Sequence, residues 1–144
     1  MGWHLEVLIN VHKFDDLRAT MNGMAVDVSF GHLGYMKTDN PIEHPGFQDF
    51  LNLLRDGKGW AKLTGTYRIT TSPATPYDDV IPYARALIEA NEDRIVWGTD
   101  WPHPSVKGNM PNDGALLDQL ADWAPNEALR KKILVDNPCA LYGF

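Results

Sequence analysis

Short apolar runs alternate with amphipathic stretches along the chain, four times over. The first run, residues 3–9, predicts a strand, and a short helix follows over residues 15–21 until Asn22-Gly23 punctuates the chain. The second run, residues 24–30, is rich in β-branched and aromatic side chains and stops at Gly31-His32-Leu33-Gly34. A polar, proline-bearing loop over residues 35–45 comes next. Phe47, Phe50, Leu51 and Leu54 then recur at i, i+3, i+4 and i+7, the spacing of a helix with one apolar face. Gly57 and Gly59 mark its end. The third run, residues 60–66, places Lys62 and Thr64 on one face and Ala61 and Leu63 on the other. A second proline-bearing loop, residues 70–76, leads into a helix predicted over 78–91. Asp78 and Asp79 suit its positive N-terminal end, and Pro82 is early enough to be tolerated in the first turn. The fourth run, residues 94–98, closes on Thr99-Asp100. Two helices finish the chain, one with Leu116, Leu120 and Trp123 on a face, the other with Leu129 and Ile133. Asn137-Pro138 is expected to stop the last.

This alternation is the signature of βαβ units: an α/β domain over residues 1–144 with a parallel sheet and right-handed crossovers. In such sheets chemistry gathers at the carboxyl ends of the strands. His32, Arg68 and Asp100 all fall at or just past such an end. The length, 144 residues, allows one ordinary domain but is short of the roughly 250 that a complete (β/α)₈ barrel uses. A net charge of −6 argues against a general nucleic-acid binder. No apolar run approaches the ~20 residues of a membrane span, and the opening Gly2-Trp3-His4 predicts no signal peptide. A single cysteine, Cys139, excludes an intramolecular disulfide and a multi-cysteine zinc site; an inert buried thiol in a cytoplasmic protein is the expectation.

Asp100 sits at a strand end between Trp97 and Trp101. Desolvation there raises a carboxyl toward the range of a useful base, and a nearby cation opposes that rise. The plainer reading is a local turn cap. His32 suits a metal ligand, a general acid or a polariser of a carbonyl, or a hydrogen-bonded strand-end histidine. Arg68 suits a bidentate clamp on an anionic group, or a surface salt bridge to Asp78 or Asp79. Lys62 stands mid-strand among residues that read as buried, so it pairs with Glu6 or Asp100 or contacts substrate. His103 follows Asp100 by three residues and can converge on the same site. His12 and His44 read as solvated surface. No Gly-x-Ser-x-Gly, Gly-x-Gly-x-x-Gly or Walker pattern occurs, which leaves serine-hydrolase, nucleotide-binding and oxidoreductase readings without support.

Several of these segments taken in order carry a resemblance. Ile95-Val96-Trp97-Gly98-Thr99-Asp100-Trp101-Pro102-His103-Pro104, then Met110-Pro111-Asn112-Asp113-Gly114, then residues 133–144, with Gly31-His32-Leu33-Gly34 and residues 60–68 before them, resemble the amidohydrolase-related family of 2-pyrone-4,6-dicarboxylate lactonase-like hydrolases. The resemblance spans nearly the whole chain. It implies the last four βα units of a TIM-barrel (β/α)₈ hydrolase, that is, a half barrel. It implies Asp100 as the base that activates water against a lactone or ester-like carbonyl, and His32 as ligand or polariser. Arg68 would bind a substrate carboxylate, with His103, Tyr67, Tyr35 and Lys62 as further substrate contacts. The family has a second arginine where Tyr35 stands here. A His-x-His motif from the family's first strand has no counterpart, so a divalent, zinc-like metal held by Asp100 and His32 is expected only where a complementary half supplies those histidines. The expected partners are a small, carboxylated organic substrate and either a second copy of the chain or an N-terminal half barrel. A half barrel of this kind would expose two sheet edges and a wide apolar inner face. The rival reading is a catalytically silent half barrel, truncated or serving as the partner-binding half of a split enzyme.

Overall fold

Four parallel strands form one sheet in the computed structural model, which describes residues 2–144. They are β1 (Leu5–Val7), β2 (Val28–Phe30), β3 (Gly59–Leu63) and β4 (Ile95–Trp97), in the spatial order β1-β2-β3-β4. The order never reverses. Each crossover adds the next strand on the same side, which is the progression of a barrel; a doubly wound sheet has a switch point instead. The crossovers carry α1 (Leu17–Asn22), α2 (Pro45–Arg55) and α3 (Ile81–Ala90). After β4 come α4 (Asp113–Trp123), α5 (Glu127–Lys131) and α6 (Asn137–Tyr142).

The register fixes which side chains share a face. Phe30 lies opposite Val7 and Ala61, and Ala61 opposite Ile95. With Val28 and Leu63 these residues join the main core, packed on Phe47, Phe50 and Leu54 of α2, Leu87 of α3, and Leu116 and Trp123 of α4. The alternate positions, Glu6, Ser29, Trp60, Lys62 and Val96, face the other way. That inner face is not the wide apolar surface expected. Three of its five residues are polar, Lys62 forms an ion pair with Glu6, and Trp60 and Val96 are covered by Leu141 of α6. Both sheet edges, β1 and β4, are open among the described residues.

Four expectations change. The strands are shorter than their apolar runs: β3 and β4 leave the sheet early at their carboxyl ends, where the chain turns into the loops of the site, while β2 ends with its run and is shortened at its start, where the chain bends over residues 24–26. His32 and Leu33 after β2 and Gly65 after β3 take left-handed conformations that a strand cannot hold. The last helix does not stop at Asn137-Pro138. A π-helical turn (Lys132–Asp136) widens the helix, and α6 restarts with Pro138 in its first turn, where the missing N–H has no partner to lose. His12 and His44 are half-buried and meet edge-to-face, and His44 Nδ1 accepts from the Gly46 N–H to cap α2. Cys139 is half-buried.

Asn137 is the reason the widened helix keeps its place. Its buried amide donates to the carbonyls of Glu92 (2.8 Å) and Ile95 (2.7 Å), fastening the helix to β4. Asn137→Ala removes both bonds and orphans a buried strand carbonyl. Chemical denaturation should show a loss of roughly 2–3 kcal/mol; a variant as stable as the parent would contradict this account.

Candidate functional site

The carboxyl ends of β2, β3 and β4 deliver their chemical groups to a common place. Among the described residues seven non-glycine residues have positive φ, and six of them lie in the loops after β2 and β4: His32, Leu33, Tyr35, Asp100, His103 and Ser105. Each such conformation costs roughly 1–2 kcal/mol, and strain of this kind clusters where side-chain aim matters more than stability.

Asp100 is the centre. Its Oδ2 accepts from the Tyr67 hydroxyl (2.5 Å) and from Arg68 Nε (2.7 Å). Both donors stand in the single 3₁₀ turn (Thr66–Arg68) that follows β3. Burial pushes the carboxyl up, but the Tyr67 and Arg68 hydrogen bonds and the charge of Arg68 outweigh it, and the pKa lies below its ordinary value. Of the two opposed influences expected from the sequence, the one that lowers the pKa prevails, with the Tyr67 hydroxyl acting beside the cation. Trp101, one of the two tryptophans expected to enclose the carboxylate, is 75% exposed. Arg68 is not the surface partner of Asp78 or Asp79. Its Nη2 also donates to the carbonyl of Pro104 (2.7 Å), tying the loop after β3 to the loop after β4. The Tyr67 phenol is pushed far up, first by burial and then by Asp100, and stays a neutral donor.

His32 presents Nε2 to the free oxygen of Asp100, with Oδ1 at 3.7 Å. Its Nδ1 meets the Thr64 hydroxyl at 2.8 Å. Burial lowers its pKa against the opposing pull of Asp100, so the ring is neutral near pH 7. A carboxylate only accepts, which favours the tautomer with hydrogen on Nε2 and Thr64 donating to Nδ1. The site thus contains a carboxylate oxygen and an N–H donor aimed at one space. Gly65 makes this possible. It has φ +56°, and a Cβ there would lie 2.6 Å from His32 Nδ1.

The other expected residues divide. Tyr35 stands edge-on to the His32 ring, 4.9 Å between centroids. Tyr35, Tyr67 and Arg68 line a cavity of about 530 Å³, within the usual range for small-molecule sites. Lys37 and Lys107 also line it, and no carboxylate does. Lys62 is outside that lining. It is spent on Glu6, with its ammonium 5.5 Å from the Tyr142 ring. His103 is buried behind Tyr67, Nδ1 lying 3.1 Å from the phenol oxygen and Nε2 2.8 Å from Asp113 Oδ1. Sequence reasoning missed Thr64, Lys37 and Asp113. A threonine before a strand-end glycine was a usable signal for the first; the other two act across loops that local patterning does not connect. It also missed Asp79, whose carboxylate accepts from Thr38 (2.6 Å), Thr70 (2.6 Å) and the Thr71 N–H (2.8 Å) and is held far below its ordinary pKa although burial opposes this. That cluster joins the rim of the cavity to the start of α3.

His32 Nε2 and Asp100 Oδ1 are the only metal-capable pair at the centre, and no group of three or more such side chains occurs among the described residues. A stable divalent site takes three or more protein ligands, so these residues by themselves do not fit an ion.

The amidohydrolase family profile matches residues 1–144. A 4-sulfomuconolactone hydrolase of Rhizobium radiobacter is 41% identical over 150 residues, covering 99% of this chain and 50% of that protein. A 2-pyrone-4,6-dicarboxylate hydrolase of Comamonas testosteroni is 34% identical, covering 99% and 49%. A solved apo structure from Agrobacterium tumefaciens superposes with a TM-score of 0.83 at 31% identity, covering 99% of this chain and 51% of that one. The chain therefore spans about half the length of the relatives it matches.

Gly65→Ala places a methyl group against the His32 ring and adds left-handed strain of roughly 1–2 kcal/mol. The expected result is a lower melting temperature together with a displaced His32 ring signal in NMR. A variant with the parent His32 spectrum would show that Gly65 does not set that ring.

Proposed function

Because the chain belongs to the amidohydrolase family, we propose that it carries the base and the carbonyl polariser of a hydrolase acting on small anionic lactones. The observation that carries this is the asymmetric hold on Asp100. Oδ2 is fixed by Tyr67 and Arg68, while Oδ1 is left facing the Nε2 of a neutral His32 at 3.7 Å.

In this reading a water molecule donates to Asp100 Oδ1 as its oxygen attacks the lactone carbonyl carbon. Asp100 takes the proton. His32 Nε2–H donates to the carbonyl oxygen, which gathers negative charge as the tetrahedral intermediate forms. The acyl C–O bond then breaks, and the departing ring oxygen takes its proton from Asp100, which returns to the carboxylate. No step runs through a metal. A carboxylate below its ordinary pKa is a weak base in bulk water. Here it is already ionised and aimed, so the contribution comes from position as much as from basicity.

Anionic substrates are supported by the cavity that adjoins the Asp100–His32 pair at Tyr35, Tyr67 and Arg68, although that pair does not itself line it. Arg68, Lys37 and Lys107 line it with the hydroxyl-bearing Tyr35, Tyr67, Tyr77, Ser72 and Ser105, and no acidic side chain opposes them. The relatives' names point to lactones with sulfonate or carboxylate groups. Tyr35, where the resemblance led to an arginine, leaves Arg68 as the cation bonded to the base and favours a single acidic group there over two.

The two open strand edges and the share of each relative that is matched support a complement of four further βα units, supplied by an N-terminal half or by a second copy of the chain. Among the described residues no helix is long and apolar enough to cross a membrane.

Asp100→Asn should lower hydrolysis of carboxylated and sulfonated lactones by about 10²–10⁴-fold without loss of fold by circular dichroism. Unchanged turnover would remove Asp100 as base. The pH profile supplies a second check. Two groups set the acid side: His32 must stay neutral and titrates below its ordinary value, and Asp100 must stay ionised and also titrates below its ordinary value, so activity should hold at neutral pH and fall in acid as either group gains a proton. The stability that Asp100 contributes is present above its unfolded pKa and is lost as pH falls through the folded one. An acid limb near neutrality would instead assign the rate to another group.

A further inference from the structure

A hydroxyl has one hydrogen to give, so what it offers a ligand depends on where that hydrogen already goes. Thr70 and Ser72, both half-buried, line the cavity from the loop after β3. Asp79, which does not line it, takes the hydrogens of both. Its Oδ1 accepts from the Thr70 hydroxyl (2.6 Å) and the Ser72 hydroxyl (3.2 Å). Its Oδ2 accepts from the Thr38 hydroxyl (2.6 Å), the Thr71 hydroxyl (3.0 Å) and the Thr71 N–H (2.8 Å). Each of these donors is neutral. Burial pushes the carboxyl up, but the hydrogen bonds from Thr38, Thr70 and Thr71 outweigh it, so Asp79 is ionised and accepts only.

We propose that Asp79 sets the hydrogen-bond polarity of this wall, so that the cavity selects a small anion that also carries a hydroxyl group. With their hydrogens spent on Asp79, Thr70 and Ser72 have only lone pairs left to offer. One lone pair of Thr70 is taken by the Ser72 N–H (2.9 Å), which leaves it one. A ligand hydroxyl can donate to these oxygens, and the negative charge of Asp79 beyond them strengthens them as acceptors. A carbonyl or carboxylate oxygen in the same place would set lone pair against lone pair. The acid end of the ligand is therefore turned toward Arg68, Lys37 and Lys107, the cations of the lining. The wall is also fixed in place: Thr38 follows β2, Thr70 and Ser72 follow β3, and Asp79 stands in the turn that leads into α3, so three segments meet at one carboxylate. That the ligand is an anion rests on the reading of the cavity as the substrate site of a hydrolase; the direction of the hydroxyl hydrogens does not.

Two unreactive ring acids test it by NMR titration of the full chain. Hydroxycyclohexanecarboxylate, with its hydroxyl on the ring carbon opposite the acid, can donate to the wall; oxocyclohexanecarboxylate, with a ketone there, can only accept. The parent should bind the hydroxy acid more tightly than the keto acid by about two- to tenfold, the factor for one hydrogen bond. Thr70→Val combined with Ser72→Ala removes both acceptor oxygens and should abolish that preference. Asp79→Asn should weaken or reverse it. The Thr71 N–H on Oδ2 cannot turn round, so the amide oxygen stays on that side and the NH₂ faces Thr70 and Ser72. Those hydroxyls then accept from it and free their hydrogens for the keto acid. Equal affinity of the parent for the two acids, binding of neither, or a parent-like preference in either variant overturns the proposal. Absence of turnover by the parent would count against the hydrolase reading alone, since binding is read without any reaction.

Discussion

One half-buried negative charge organises the carboxyl end of the sheet. Taking Asp100 out of water is unfavourable, and the pKa balance shows that burial is the largest single influence on it. The chain answers with two donors from one 3₁₀ turn, a phenol and a guanidinium, on the same oxygen. That answer has structural consequences. Arg68 reaches on to the Pro104 carbonyl, so the loop after β4 is shaped by the residue that neutralises Asp100. Tyr67 must remain protonated to serve, and the same charge that it supports keeps it so. His32 meets the opposite oxygen as a neutral ring because burial outweighs the attraction of the carboxylate. A cationic His32 would form a tighter pair with Asp100 and leave less of the carboxylate available to a substrate water.

The sheet explains why these groups meet. Parallel strands in unbroken order bring every carboxyl end to the same rim, so residues 32, 68 and 100, far apart in sequence, become neighbours. The inner face below them is partly polar. Glu6 and Lys62 satisfy each other there, and Ser29 has a buried hydroxyl with no partner. Leu141 covers the two apolar residues. The apolar part of the inner face is thus covered by the chain's own last helix, while the edges β1 and β4 stay open.

Much of this was legible in the sequence, for identifiable reasons. Hydrophobic period gave four strands, the helices between them, and the rim on which His32, Arg68 and Asp100 lie, because burial on both faces of a parallel sheet leaves an unambiguous apolar run. Extents were less legible. The runs overstate the strands: the third continues into the left-handed Gly65, and the second begins in a bend over residues 24–26. The passage of the last helix through Pro138 was hidden because it depends on a π-helical turn and on the Asn137 amide reaching β4, neither of which is a local propensity. At the site, the residue types were readable but their pairing was not. Arg68 had aspartates close by in sequence and chose a distant one, while Asp79 satisfied itself with threonines and a backbone amide. The direction of the Asp100 pKa turned on that choice.

The left-handed residues of the two site loops bear on how the chain can be altered. Glycine would hold each of those six conformations with less strain, and none of the six positions is glycine. The relief is roughly 1–2 kcal/mol at each. At Leu33 and Asp100 it is outweighed by what the side chain holds: Leu33 is fully buried in the core, and Asp100 carries the Tyr67 and Arg68 hydrogen bonds. Those loops keep their strain because the side chains in them stabilise more than a relaxed backbone would.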